Sequence, residues 1–159
     1  MNIHSILCPV DFSESSDAAL RYASLMASES GACLHIVHVE EALPEYPPDF
    51  VGYGIGAGVS EEQRVQHLLK EIRPSSEGVR FEHHHLKGSP AREIIDFADR
   101  NKIDLIVMGT HGRKGLTRLL MGSVAESVMR RATCPVLTLR QPVPTTEETP
   151  AAQCSAAEQ

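Results

Sequence analysis

Met108-Gly109-Thr110-His111-Gly112-Arg113-Lys114-Gly115-Leu116-Thr117-Arg118-Leu119-Leu120-Met121-Gly122-Ser123-Val124 joins an apolar run, residues 103–108, to a helical pattern. The order is strand, Gly-rich loop, helix start. Glycines at 109 and 112 lack a Cβ, so the main chain can pass close to a ligand or take a positive φ. Successive N–H groups then turn toward one point. A helix start adds unpaired N–H donors and the positive end of a dipole. Such a loop is suited to an anion, most often a phosphate. It also carries Arg113, Lys114 and Arg118, with no acid before Glu126.

Working outward, the same alternation recurs. Residues 3–10 form an apolar run of strand length, of the kind buried on both faces of a sheet. Asp11 ends it, and Ser13, Ser15, Ser16 and Asp17 are helix-start residues. Ala19, Tyr22, Ala23, Met26 and Ala27 follow at helical spacing, and Gly31 is placed to stop the helix. Residues 32–39 read as a second strand, so the chain opens β-α-β with a parallel pair. Val65, Leu68, Leu69 and Ile72 mark a second helix, opened by a Ser60/Gln63 capping box. Residues 79–86 form a third strand. Ser89-Pro90 then starts a helix striped by Ala91, Ile94, Ile95 and Ala98. After Ser123, the set Ala125, Val128, Met129 and Ala132 predicts a fourth helix, with Ser123 and Glu126 also forming a capping box. Residues 135–139 give a fifth strand, whose initial proline suits an edge. The whole is a doubly wound α/β pattern.

Two segments stand apart. Residues 40–59 hold Pro44, Pro47, Pro48, Gly52, Gly54, Gly56 and Gly58. They read as a loop insertion, either a surface loop or a flap over a ligand or partner. Residues 141–159 lack periodicity and read as a disordered tail. The organisation expected is one domain over 1–140, followed by that tail.

Composition narrows the function classes. The 159 residues are 42% hydrophobic and 23% charged, ordinary for a globular domain. A net charge of −6 gives no global basic field for nucleic acid or an anionic membrane, so neither is expected as a partner. No apolar run is long enough to span a bilayer, and the N-terminus lacks a signal-peptide pattern, so the expected location is the cytoplasm. The four cysteines, Cys8, Cys33, Cys134 and Cys154, form no CxxC pair. Of the triplet His83-His84-His85, only His83 and His85 share a strand face, which is too few ligands for a metal site. Walker, nucleophile-elbow and Rossmann fingerprints are absent, and no glycine precedes Gly31.

In an open parallel sheet, ligands bind beyond the carboxyl ends of the strands where the order reverses. If the first and fourth strands are neighbours, Asp11 faces the Gly-rich loop and can accept hydrogen bonds from a ribose or adenine. The lesser alternatives are that Asp11 caps the first helix and that the Ser123 hydroxyl only caps the fourth.

The sequence resembles the universal stress proteins, in their ATP-binding subgroup. Gly109-x2-Gly112-x9-Gly122-Ser123 matches their nucleotide signature. Ile6-Leu7-Cys8-Pro9-Val10-Asp11-Phe12-Ser13 is similar to their opening strand. The segments 104–112 and Gly122-Ser123-Val124-Ala125 through Cys134-Pro135-Val136-Leu137 also follow the family pattern. The resemblance covers about residues 1 to 140. It implies a three-layer α/β/α sandwich with a five-stranded parallel sheet in the order 3-2-1-4-5, like the adenine nucleotide alpha hydrolases. It implies ATP, with Mg²⁺ on the phosphates. Pro9, Val10 and Asp11 would border the adenosine, and the Val39 main chain would read the adenine edge. Met108 and Gly109 would contact the nucleoside. Gly112, Gly122, Ser123 and Val124 would hold the phosphates, with His111 and Arg113 beside them. It also implies a homodimer built by the fifth strand, residues 136–140, which opens on Val136 and closes on Arg140.

No catalytic base or carboxylate pair stands near the loop, so a regulatory nucleotide-binding protein of the stress response is expected. The alternatives are a slow ATP hydrolase or adenylyl-transfer enzyme, and a dimeric interaction protein that does not use the site.

Overall fold

The computed structural model describes residues 3–41, 61–110 and 121–140. Five strands, β1 (Ser5–Pro9), β2 (Cys33–Glu40), β3 (Phe81–Lys87), β4 (Leu105–Gly109) and β5 (Val136–Leu139), make one sheet. Their order is β3-β2-β1-β4-β5 and every pair is parallel, as expected. Four helices link them: α1 (Glu14–Ser30), α2 (Glu61–Glu71), α3 (Pro90–Arg100) and α4 (Ser123–Arg131).

The apolar runs explain the centre of the sheet. Ile6, Leu7 and Cys8 of β1 have no exposed surface. Side chains alternate along a strand, so Ile6 and Cys8 join the core beneath α1 while Leu7 joins the core beneath α3 and α4. Ile6 and Leu7 each contribute about 1.5–3 kcal/mol by burial. On one face Leu69 of α2 joins Ala19, Leu20, Ala23 and Ala27 of α1. On the other, Ile94, Ile95, Phe97 and Ala98 of α3 meet Ala125 and Val128 of α4. Three residues assigned to apolar stripes are instead half in water: Tyr22, Leu68 and Met129 are 44–46% exposed. They lie at the margins of stripes whose centres are filled by neighbours such as Leu20 and Leu69.

Helix ends follow local chemistry. Ser13 caps α1 in a reciprocal box with Ser16, and Gly31 ends that helix in the left-handed region with φ 70°. Pro90 occupies the first turn of α3 after Ser89, although the Ser89 side chain makes no capping bond. The capping box at Ser123 and Glu126 does not form. Gly122 is the N-cap of α4, Ser123 is already helical, and among the described residues no side chain caps the helix. Glu126 instead accepts from Arg130 one turn on, at 3.1 Å. At the start of α2, Glu62 lies 2.8 Å from Lys87 at the end of β3. Their hydrogen bond holds the carboxyl below, and the ammonium above, the usual ranges.

Cys8 cannot serve as a nucleophile. Burial pushes its thiol up to about 12, so the thiolate is negligible near neutrality. Cys8 is expected to escape alkylation at pH 8 in the folded protein and to react fully in denaturant. Peptide mapping by mass spectrometry checks this, and rapid native labelling would contradict the packing described.

The Ser60 half of the expected capping box, the 42–60 portion of the loop insertion and the tail lie outside the described residues.

Candidate functional site

The carboxyl ends of β1 and β4 lie side by side at the point where the strand order reverses. Ile6 pairs with Leu105 and Leu7 with Ile106. The same register puts Pro9 level with Met108 and also pairs it with Val37 on the other side. Val10 extends β1 by donating its N–H to the Val37 carbonyl at 2.8 Å. The chain then turns at Phe12, whose φ is 61°. That turn is braced from β2: His38 Nδ1 lies 2.7 Å from the Val10 carbonyl, and the His38 ring lies 4.6 Å from that of Phe12. A carbonyl only accepts, so Nδ1 carries the proton.

Asp11 follows directly. Its Oδ1 accepts from the Ser13 N–H at 3.2 Å and from the Ser13 hydroxyl at 2.5 Å. Asp11 therefore organises the entry to α1, while the N-cap itself is Ser13. Val39 closes the second side. The Leu34 N–H and the Glu40 carbonyl bond toward β3, whereas the Val37 carbonyl bonds toward β1. Main-chain groups alternate in direction along a strand. Those of Val39 thus point to the β1 side, beyond the place where β1 ends.

On the third side, β4 runs through Met108 and Gly109 into Thr110. Thr110 is buried, and its N–H donates to the Leu139 carbonyl at 3.1 Å. Its own carbonyl accepts the Gly122 N–H at 2.7 Å. That bond joins the described residues on either side of positions 111–120 and pins the start of α4 at the carboxyl end of β4. Thr110 had no sequence signal beyond its place between the two glycines.

Met108, Gly109, Gly122, Ser123 and Val124 are therefore gathered around one end of β4, beside Pro9, Val10 and Asp11. His111, Gly112, Arg113, Lys114 and Arg118 lie outside the described residues. The roles of two glycines are revised. A Cβ on Gly109 would overlap the Ser15 hydroxyl and lie 2.8 Å from the Ser15 carbonyl oxygen. Its small size lets the first turn of α1 approach β4. The Gly122 N–H is spent on Thr110, and the first bond within the helix runs from the Glu126 N–H to the Gly122 carbonyl, so the Ser123, Val124 and Ala125 amides have no partner within α4.

Asp104, in the stretch before the loop, has a structural task at the opposite end of the sheet. Its Oδ2 accepts from the His4 and Ser5 amides at 2.8 and 3.0 Å and fixes the start of β1. The three adjacent histidines divide between faces as the strand period requires. His83 meets the Ile72 carbonyl at 3.0 Å, and His85 lies 3.0 Å from Glu40. His84 points to the other face, beside His35 and Glu82. Burial chiefly holds both the His35 and His84 imidazoles below their usual range, favouring the neutral rings. This convergence was missed, because it depends on the β2–β3 register.

A five-stranded parallel sheet in this order, with its strand order reversing between β1 and β4 and the start of α4 beside that point, defines a three-layer adenine-nucleotide-alpha-hydrolase-like α/β protein. The chain belongs to the universal stress protein family, whose model matches residues 2–140. A universal stress protein of Methanocaldococcus jannaschii is 40% identical over 144 residues, covering 86% of this chain and 82% of that protein. Among solved structures, a universal stress protein in complex with cAMP is 26% identical with a TM-score of 0.65, covering 88% of this chain and 98% of the other. The universal stress protein from Archaeoglobus fulgidus in complex with dAMP is 27% identical with a TM-score of 0.60, covering 87% and 98%. No helix among the described residues is long and apolar enough to cross a membrane.

Proposed function

We propose that this protein binds an adenine nucleotide, ATP with Mg²⁺, at the β1/β4 crevice and acts as a regulatory module in the stress response. The observation that carries the reading is the start of α4, which no side chain caps among the described residues and which the Gly122–Thr110 hydrogen bond ties to the carboxyl end of β4. Helix amides and the dipole there favour a phosphate. The cAMP and dAMP complexes of similar proteins support adenosine as the other half of the ligand.

In this reading Pro9, Val10 and Met108 border the nucleoside, Asp11 accepts from it, and Val39 offers main-chain groups to the adenine edge. Ser123 and Val124 donate to the phosphates through their amides, and the Ser123 hydroxyl adds a further donor. His111, Gly112 and Arg113, which precede Gly122 in the sequence, would complete the phosphate loop. Mg²⁺ would be carried largely by phosphate oxygens and water, in keeping with its reluctance to dehydrate. Glu126 at the helix start is already engaged by Arg130. The domain spans 1–140, works in the cytoplasm, and forms a homodimer through β5. That strand is the sheet edge, and its four residues are all only partly buried.

Isothermal titration of the nucleotide-free protein with MgATP is expected to show one saturable site per chain. Protein denatured directly after purification is expected to release adenine nucleotide. Failure of both measurements would reject the reading.

A further inference from the structure

We propose that His35, Glu82 and His84 form a binding site for a divalent transition-metal ion of the zinc class. The site lies on the outer half of the sheet and is separate from the nucleotide crevice. His35 pairs with Glu82 across β2 and β3. Side chains two residues apart on a strand share a face, so His84 stands on the same side as Glu82. The three side chains converge over the face covered by α3.

Their spacing carries the argument. His35 Nδ1 is 3.1 Å from His84 Nε2. Glu82 Oε2 is 3.7 Å from the first and 3.5 Å from the second. A four-coordinate ion with bonds of about 2.0–2.1 Å holds its ligand atoms roughly 3.3–3.4 Å apart. A triangle with the observed sides has a centre about 2 Å from each corner, which is the bond length zinc takes to imidazole nitrogen or carboxylate oxygen. A hydrogen bond between the two imidazoles accounts for the shortest side alone. The carboxylate distances are long for hydrogen bonds and right for ligands of a shared ion.

Other features fit a built site. The His35 and His84 side chains are only 14% and 25% exposed. The Phe97 ring of α3 lies 5.9 Å from one imidazole and 4.7 Å from the other, which limits their rotation. Glu82 is 62% exposed and leaves an entry path and an open coordination position on the solvent side. Two imidazoles and one carboxylate suit Zn²⁺, with Co²⁺ as a spectroscopic substitute, better than Mg²⁺ or Ca²⁺. The bound ion would tie the edge strand β3 to β2.

The test is titration of the untagged, chelator-stripped full chain with ZnCl₂ by calorimetry, without nucleotide. One Zn²⁺ per chain is expected. His84→Ala and Glu82→Gln should each weaken binding at least tenfold, whereas His67→Ala, at an exposed histidine on α2, should titrate like the parent. Thermal melts should rise with Zn²⁺ in the parent and in His67→Ala only. Should His84→Ala fail to fold, His35→Asn replaces it. In the Co²⁺ form, the strong visible bands of a four-coordinate site should vanish in that variant. No stoichiometric binding by the folded parent would overturn the proposal. So would undiminished binding in the folded triad variants, or an equal loss in His67→Ala. None of these readouts depends on the nucleotide site.

Discussion

Gly122→Val should weaken MgATP binding at least a hundredfold, a loss of about 2.7 kcal/mol. Gly122 sits at φ −61° and ψ 144°, extended backbone that valine adopts readily. The change therefore brings no backbone strain. It places a branched side chain at the mouth of α4, where a phosphate would approach the Ser123 and Val124 amides. Valine is a poorer N-cap than glycine, at about 1 kcal/mol. That corresponds to a fall in Tm of roughly 2–4 °C in a domain of this size. The binding loss should greatly exceed the stability loss, and calorimetry beside a thermal melt separates them. Ser123→Ala gives the complementary result. Its hydroxyl does not cap α4, so stability should move by less than about 0.5 kcal/mol while affinity falls. Full affinity in Gly122→Val would put the phosphates elsewhere.

How much of this was legible depends on the range of the interaction. The buried strands β1 and β4 were readable because continuous apolar runs have one cheap destination, a sheet covered on both faces. The stop at Gly31 and the start at Pro90 were readable because backbone conformation alone dictates them. The strand order came from motif resemblance, since periodicity states that a segment is a strand but not which strand lies beside it. The N-cap of α4 slipped by one residue for a tertiary reason. The Thr110 carbonyl takes the Gly122 N–H and starts the helix there, a contact between residues that are not neighbours in the chain. The His35–Glu82–His84 convergence was invisible in the same way. It spans 49 residues between the histidines and depends on a β2–β3 register that a one-residue slip would reverse. For the candidate site, the loop and its neighbours were legible as motifs, but the division of labour among the glycines was not.

Gly109 shows what that division means for stability. Gly109→Ala should lower the unfolding free energy by about 1–3 kcal/mol, and Gly109→Val by more. The cause is steric. Gly109 is not among the positive-φ glycines, which for the described residues are Gly31, Gly78 and Gly88. The added Cβ meets the Ser15 hydroxyl, the Ser15 carbonyl oxygen at 2.8 Å and its carbon at 2.9 Å. Two of these three atoms are main chain in the first turn of α1, whose position is fixed by the Ser13–Ser16 box and the buried alanines below it. Relief therefore requires α1 to lift off β4, or β4 to shift against β5. Ser15→Ala in the Gly109→Ala background should recover only part of the loss, because it removes the hydroxyl and leaves the carbonyl. A double-mutant cycle read by denaturant unfolding measures that coupling. Complete rescue by Ser15→Ala would assign the clash to the hydroxyl alone. Tolerance of Gly109→Ala within about 0.5 kcal/mol would show that α1 can slide over β4, and that glycine is kept at 109 for the ligand side of the strand.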